Sequence, residues 1–243
     1  MNARGLESEY RGGHLIIPGS LMDLRHALSP TNTALIAVFA GLIAASTLWP
    51  GAELVSGVPI TLQTMTVLLA GAALGPWRGA AAVAVYLIVG TAGAPIFSGR
   101  TSGFAPWAGP TGGFLAGFVV CAFVAGALVQ RLHRRAQLTL SSVVGACAVA
   151  SLLVLNLIGW GFFMLKMGTS LQDTAAFAAP FLVGDIIKVF VAAAAAAAVH
   201  RAYPNLLGSP RVRRTGTGDV VSDDAAVGKS AAAEADLTPT ALA

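Results

Sequence analysis

Charge is scarce in this sequence of 243 residues, and the scarcity excludes an ordinary soluble protein. Asp, Glu, Lys and Arg together make up 11% of the chain, against roughly 25% in a typical soluble domain. Apolar residues reach 56%, and the mean hydropathy is +0.74. A soluble globule of this size needs far more charge to cover its surface. The composition therefore predicts an integral membrane protein embedded in the lipid bilayer.

Cysteine is rare as well, which argues against a disulfide framework or a zinc site. The two cysteines, Cys121 and Cys147, both lie inside long apolar runs, and the chain has no CxxC pair or Cys/His cluster. We interpret both as packing residues. The sequence predicts no metal site and no resident cofactor.

Motifs for catalysis and for nucleotide hydrolysis are also missing. No Ser/His/Asp or HExxH arrangement is visible, and no segment follows the GxxxxGK[ST] pattern of a phosphate-binding loop. We therefore expect no catalytic residues and no enzymatic activity. If ATP drives a transport step, another subunit must hydrolyse it.

Six apolar segments with short connectors predict an all-α membrane bundle at residues 31–203. A helix crosses the hydrocarbon with about 20 residues, and the second and third segments are shorter than that. Gly75-Pro76 between them indicates a tight turn, although the pair could instead form a re-entrant hairpin. Residues 1–30 are predicted to be a cytoplasmic lead-in and residues 204–243 a disordered cytoplasmic tail. The six segments are Thr31–Trp49, Thr61–Leu74, Arg78–Gly93, Gly113–Arg131, Leu138–Leu165 and Phe177–His200.

Positive charges are distributed unevenly between the two sides of this bundle. The side that holds both termini carries Arg4, Arg11, Arg25, Arg78, Arg131, Arg134, Arg135, Arg201, Arg211, Arg213, Arg214 and Lys229. The opposite side carries only Arg100 and Lys166, so the positive-inside rule predicts cytoplasmic termini in a multi-pass protein of the plasma membrane. Treating the second and third segments as a hairpin moves only Arg78. The net charge of +4 therefore indicates topology, and we expect no nucleic-acid partner.

Two ionisable residues lie where lipid should exclude them. Asp185 and Lys188 fall well inside the sixth segment, and an ionised group near a helix centre costs about 2.5–3.5 kcal/mol on insertion scales. Their spacing of three places both on one helical face. They could simply neutralise each other as an internal ion pair. Because two apolar residues would avoid the cost altogether, we favour a ligand or ion site.

Further polar residues are predicted at the outer half of the bundle, near this pair. Arg100 lies in the second outer connector, Gln63 at the outer start of the second segment, and Tyr86 about two turns inside the third. The glycine-rich run at residues 109–113 is either a close turn into the fourth segment or a ligand-contacting loop. This convergence is typical of a site that is loaded from outside.

These blocks, in this order and spacing, resemble the BioY family, the biotin-specific substrate-binding subunits of energy-coupling-factor (ECF) transporters. The resemblance covers about residues 31–203. It is carried by VPITLQT at residues 58–64, LLAGAALGP at 68–76, Tyr86-Leu87 through Gly90 and Gly93, GPTGGF at 109–114 and GDxxK at 184–188.

The resemblance implies a six-helix bundle of the ECF S-component type that captures biotin near the outer face. It places the family's acidic and basic pair on Asp185 and Lys188, where a carboxylate would accept from the ureido N–H groups and an ammonium would donate to the ureido carbonyl. It places the outer-loop basic position on Arg100, which would suit the valerate carboxylate. Gln63 and Tyr86 would complete the polar and stacking contacts.

The same resemblance implies partners: a transmembrane coupling (T) subunit and two cytoplasmic ATPase subunits. The first segment carries small residues at helical spacing, Ala37, Ala40, Gly41 and Ala44, which permit close helix approach. They serve either internal packing or, as the family implies, docking of the coupling subunit.

Three other functions remain open at this point. The chain could be an S component for another vitamin, an intramembrane enzyme that uses Asp185 as an acid or base, or a proton-conducting or purely structural bundle. The sequence does not reveal whether the chain transports alone or how many copies assemble.

Overall fold

The computed structural model of the protein describes residues 29–47 and 61–207. These residues are mostly helical. The predicted lead-in, apart from its last two residues, and the tail from residue 208 onward lie outside them. The helices are α1 (Pro30–Ser46), α2 (Gln63–Leu74), α3 (Pro76–Thr91), α4 (Ala105–Ala108), α5 (Gly112–Arg134), α6 (Leu140–Ala148), α7 (Asn156–Met167) and α8 (Leu171–Ala202). A 3₁₀ turn at Ser98–Arg100 follows α3, and a π-helix at Val149–Leu155 joins α6 to α7.

Local capping residues determine where several helices begin and end. The Ser29 side chain accepts from the Asn32 N–H, and Pro30 occupies the first helical position of α1. Thr139 and Ser142 form a reciprocal capping box at the start of α6. Gly75 alone separates α2 from α3, and its φ of 85° lies in the region that favours glycine. The turn predicted at Gly75-Pro76 is therefore a single residue long.

Helix α2 lies at the centre of the bundle. It contacts α1, α3, α5 and α8, and ten of its twelve residues are buried. An apolar helix that is covered on all sides is a core element and not a lipid-facing one.

Three glycines allow α2, α3 and α5 to approach one another this closely. A Cβ atom on Gly71 of α2 would overlap the carbonyl oxygen of Ala122 on α5. A Cβ on Gly126 of α5 would meet the backbone of Gly75, and one on Gly79 of α3 would meet Gly71 itself. Small residues are the usual means of close helix contact inside membranes, where apolar burial alone does not drive association.

Within residues 29–47 and 61–207, three helical stretches are long and apolar enough to cross a bilayer, judged by length and composition: Gly112–Arg134, Leu140–Met167 and Phe181–Ala202. Helices α1 and α2 are apolar but shorter. The described part of this membrane protein is all-helical, and each of the six predicted apolar segments overlaps at least one of the helices α1–α8.

Helix α8 begins six residues before the predicted start of the sixth segment. Its N-cap is Ser170, whose Oγ accepts from the Asp173 N–H at 3.2 Å. The first turn is polar and carries Asp173, so a boundary drawn from hydropathy misses it. Asp185 consequently lies fourteen residues, or about 21 Å, from the start of the helix.

The glycine contact between α2 and α5 generates a testable prediction. Gly71→Ala places a methyl group against the Ala122 carbonyl and should lower stability by about 1–3 kcal/mol or more, as overpacking does. Thermal unfolding of the purified protein in detergent measures the loss. Gly161→Ala on α7 is the matched control, because no heavy atom lies within 4 Å of a Cβ built there. Equal unfolding temperatures for both variants would contradict the contact.

Candidate ligand-binding site

A cavity of about 720 Å³ lies at the end of the bundle where α2, α5 and α8 begin. This volume falls within the range of small-molecule sites in proteins, about 300–1,000 Å³. Its walls come from the starts of α2, α5 and α8, from α7, and from the connector between α3 and α5. Most of the lining surface is apolar or aromatic, although ten of the 24 lining residues carry polar or charged side chains.

One face of α8 forms a long wall of the cavity. The lining residues Thr174, Phe177, Phe181, Asp185 and Lys188 recur at spacings of three and four, so they lie in one row along the helix. Deeper along the chain, α8 contributes buried alanines to the core. The same helix thus turns from a cavity wall into a packing element just beyond Lys188.

Asp185 and Lys188 form a salt bridge on this wall. Lys188 Nζ lies 3.0 Å from Asp185 Oδ1, and the side chains are only 10% and 14% exposed, respectively. Among residues 29–47 and 61–207, this is the only salt bridge between side chains. Each group keeps further hydrogen-bonding capacity, because a carboxylate has two oxygens and an ammonium has three donors. A polar ligand in the cavity could therefore bond to both.

Gln63 lines the cavity, whereas Tyr86 lies behind it. Gln63 Nε2 donates to the Tyr86 hydroxyl at 2.7 Å, and that hydroxyl donates to the Ile96 carbonyl at 3.1 Å. The Tyr86 ring is 1% exposed and meets Phe97 edge to face, with centroids 5.6 Å apart. Tyr86 thus holds Gln63 and the connector in place and does not itself reach the cavity surface.

Arg100 also lies outside the cavity lining. It is exposed and has a φ of 58° in the 3₁₀ turn, whereas its neighbours Ser98, Gly99 and Thr101 do line the cavity. The connector is held down by its own Phe97 N–H to Thr101 carbonyl bond at 3.0 Å. Arg100 therefore stands beside the cavity mouth, and its predicted contact with a ligand stays a prediction.

The glycine-rich run at residues 109–113 was predicted to be either a close turn into the fourth segment or a ligand-contacting loop, and its residues divide between these two positions. Gly109, Pro110 and Thr111 line the cavity. Gly112 and Gly113 are buried, and a Cβ on Gly113 would overlap the side chain of Phe162 on α7. The run is thus both a close turn into α5 and part of the cavity wall.

Sequence reasoning missed the contribution of α7 to the site. Asn156, 4% exposed, lines the cavity together with Trp160 and Phe163, and Phe163 stacks on Phe177 with centroids 5.0 Å apart. Asn156 directly follows the π-helix, and such bulges are frequent at functional sites. A lone Asn within a leucine-rich segment was the available signal of a polar site on α7. The prediction considered mainly charged residues and did not include it.

The four small residues of α1 do not share one environment. Ala37 and Gly41 are exposed, and no described atom lies within 4 Å of a Cβ built on Gly41. Ala40 is buried in the core, and Ala44 packs against it. Only the row that contains Ala37 and Gly41 therefore faces outward.

Taken together, these features define a class of protein: a helical membrane bundle with a cavity of small-molecule size at one end, whose wall carries the Asp185–Lys188 ion pair. Comparison with known proteins narrows the class. The BioY family matches residues 22–205. A biotin transporter BioY of Rhodobacter capsulatus is 38% identical over an alignment of 185 positions, which covers 72% of this chain and 96% of the relative. The biotin transporter BioY of Rhizobium etli is 37% identical and covers 74% and 98%.

A solved structure shows the same fold. The crystal structure of the S-component for biotin from an ECF-type ABC transporter superposes with a TM-score of 0.67 and 22% identity, over 70% of this chain and 91% of that one. The chain belongs to the BioY family.

The ion pair generates a prediction about stability. Asp185→Asn leaves the Lys188 ammonium without its carboxylate, and breaking a buried pair costs about 3–5 kcal/mol. We expect a clearly lower unfolding temperature in detergent. The double variant Asp185→Asn/Lys188→Met should recover most of the loss, since no lone charge remains. Asp173→Asn, in the exposed first turn of α8, is the control and should change little. A double variant as unstable as the single one would contradict this account.

Proposed function

We propose that this chain is the biotin-binding substrate subunit of an ECF-type transporter, which captures biotin on the outer side of the membrane and delivers it inward with energy from partner ATPases. The observation that supports the proposal best is the Asp185–Lys188 pair on the wall of an otherwise largely apolar and aromatic cavity. The relatives named as biotin transporters support the choice of ligand. The chain itself is a transport protein and makes or breaks no covalent bond.

The pair matches the two kinds of hydrogen-bonding group in a ureido ring. The ring N–H groups would donate to the Asp185 carboxylate, and the ring carbonyl would accept from the Lys188 ammonium. Both bonds would form within a shielded site, where charge-assisted hydrogen bonds are strong. Gln63, held by Tyr86 at 2.7 Å, would supply a further polar contact.

The remainder of biotin matches the other surfaces of the cavity. Its thioether ring would lie among Trp160, Phe163, Phe177 and Phe181, since sulfur makes favourable contacts with aromatic rings. The valerate chain would point to the connector that holds Arg100. There the carboxylate would meet a guanidinium that stands beside the mouth and not inside the cavity.

Topology follows from the charges described above. We place six crossings in residues 31–203 of a multi-pass plasma-membrane protein, with the lead-in 1–30 and the tail 204–243 on the cytoplasmic side. The cavity then opens outward, because it lies at the ends of α2, α5 and α8 that carry few basic residues.

Biotin binding to purified protein tests the proposal. Wild type should retain radiolabelled biotin, and the double variant Asp185→Asn/Lys188→Met should lose at least about a hundredfold in affinity, as expected when two charge-assisted hydrogen bonds disappear. The double variant is used because it removes both charges together and should stay folded. Asp173→Asn and Lys166→Gln are the controls and should bind like wild type.

Four outcomes would count against the proposal, three in this binding assay and one in a separate measurement of proton flux. Unchanged biotin affinity in the double variant would remove the role of the pair. Displacement of biotin by a different vitamin at lower concentration would make the chain an S component for that vitamin. Recovery of a chemically altered ligand would indicate an intramembrane enzyme, and proton flux through reconstituted protein without biotin would indicate a conducting bundle.

Energy for ATP-driven uptake would come from partners, because no segment of the sequence follows the pattern of a phosphate-binding loop. We propose a transmembrane coupling subunit that docks on the outward row of α1, together with two cytoplasmic ATPase subunits. The exposed Gly41 lets a partner helix approach closely. Ala40 and Ala44 would support this surface from the core side.

Gly41→Leu separates docking from ligand binding. The variant meets no described atom within 4 Å of its Cβ, so the bundle should fold and keep wild-type biotin affinity. Uptake by cells that contain the complete transporter should fall about tenfold or more, because the leucine keeps the partner helix away. Gly161→Leu on α7 is the matched control. Equal uptake in both variants would place the docking surface elsewhere.

A further inference from the structure

A second, smaller cavity lies at the opposite end of the bundle from the ligand site. It is a groove of about 210 Å³ between the last turns of α5 and the start of the helical rod that begins with α6. Thr111, at the ligand cavity, and Arg131, at the groove, are twenty residues apart along α5, or about 30 Å. The groove is lined by Leu128, Arg131, Leu132, Arg135, Gly145, Ala146 and Val149.

The floor of this groove is apolar and open to the surroundings of the protein. Gly145 and Val149 are exposed on α6 and the adjoining π-helix, and no heavy atom lies within 4 Å of a Cβ built on Gly145. Because the groove lies on the outside of a membrane bundle, acyl chains of the bilayer can reach it. Its shape and chemistry suit a hydrocarbon chain.

The rim of the groove carries two arginines without a counter-ion. Arg131 and Arg135 are exposed, and within the part of the chain that the structure describes neither guanidinium makes an ion pair or a side-chain hydrogen bond. Arg131 lies in the last turn of α5 and Arg135 caps the helix, so two like charges line the same groove, where they repel each other. An anion between them would remove the repulsion, and a phosphate group can accept from both guanidinium groups at once.

We propose that this groove binds an anionic phospholipid, with its phosphate between Arg131 and Arg135 and one acyl chain along Leu128, Leu132 and Val149. A charged head beside an apolar tail is the one ligand chemistry that satisfies both the rim and the floor. The site is independent of the biotin cavity. Its occupant would hold the turn between α5 and α6 at the membrane surface.

Native mass spectrometry of the full-length protein tests the proposal. Phosphatidylglycerol should bind at least about tenfold more tightly than phosphatidylcholine with the same acyl chains, since each basic residue near the membrane surface contributes about a factor of five. Arg131→Gln and Arg135→Gln should each reduce that preference several-fold. Arg134→Gln is the matched control, because it removes the same charge from the same helix end but does not line the groove.

Two further experiments distinguish binding of a whole lipid from binding of a free anion. Gly145→Leu fills the groove without touching the rim, so it should weaken phosphatidylglycerol binding while the protein stays folded. Water-soluble glycerophosphoglycerol and inorganic phosphate should not displace the lipid. The proposal is overturned if Arg134→Gln acts as strongly as the rim variants, if the two lipids bind equally, or if Gly145→Leu has no effect and inorganic phosphate competes.

Discussion

A carboxylate and an ammonium group placed in a bilayer stabilise each other as an ion pair. Asp185 and Lys188 form such a pair, with their charged atoms 3.0 Å apart on the wall of a cavity. Removal of one partner would leave the other in surroundings that solvate it poorly. The pair does not use all of its hydrogen-bonding capacity, and it faces a space large enough for a small molecule. The arrangement that lets the two residues remain in the membrane therefore also prepares a polar recognition surface. This recognition surface depends on where the pair lies along α8. The same helix face supplies the aromatic wall on the outer side of the pair and the alanine packing on the inner side.

The shape of the bundle depends on how closely its helices approach. Gly71, Gly79 and Gly126 bring α2, α3 and α5 into backbone contact and close the middle of the bundle. The cavity lies at the other part of the bundle, where α2, α5 and α8 begin. This end of the described structure thus holds the candidate ligand site, which aromatic rings and a connector frame. The opposite end carries basic residues in the last turns of α5 and α8.

Much of the site could be predicted from the sequence, because its main signals are local. Asp185 and Lys188 stand out in an apolar segment, and a spacing of three places them on one face of any helix. Gln63 was identified from its place at the start of α2, and the glycine-rich run from its composition. The start of α8 was predicted six residues late, since a polar first turn capped by Ser170 carries no hydropathy signal. Asn156 was passed over because an uncharged amide costs less in lipid than an ion and so attracts less attention.

The sequence by itself determined that the chain is embedded in a membrane. It also determined which segments are helical and where the charges within them lie. Hydropathy, helical period and capping depend on neighbours within a few residues, so they can be read along the chain. Only the tertiary structure decided which of these residues reach the cavity. Asn156 lines its wall, Tyr86 stands behind Gln63, and Arg100 lies beside the cavity and not in it. It also decided that Ala40 is in the core while Gly41 faces outward. These assignments depend on the rotation of each helix about its own axis. That rotation is set by contacts between residues far apart in sequence, such as Gly71 against Ala122.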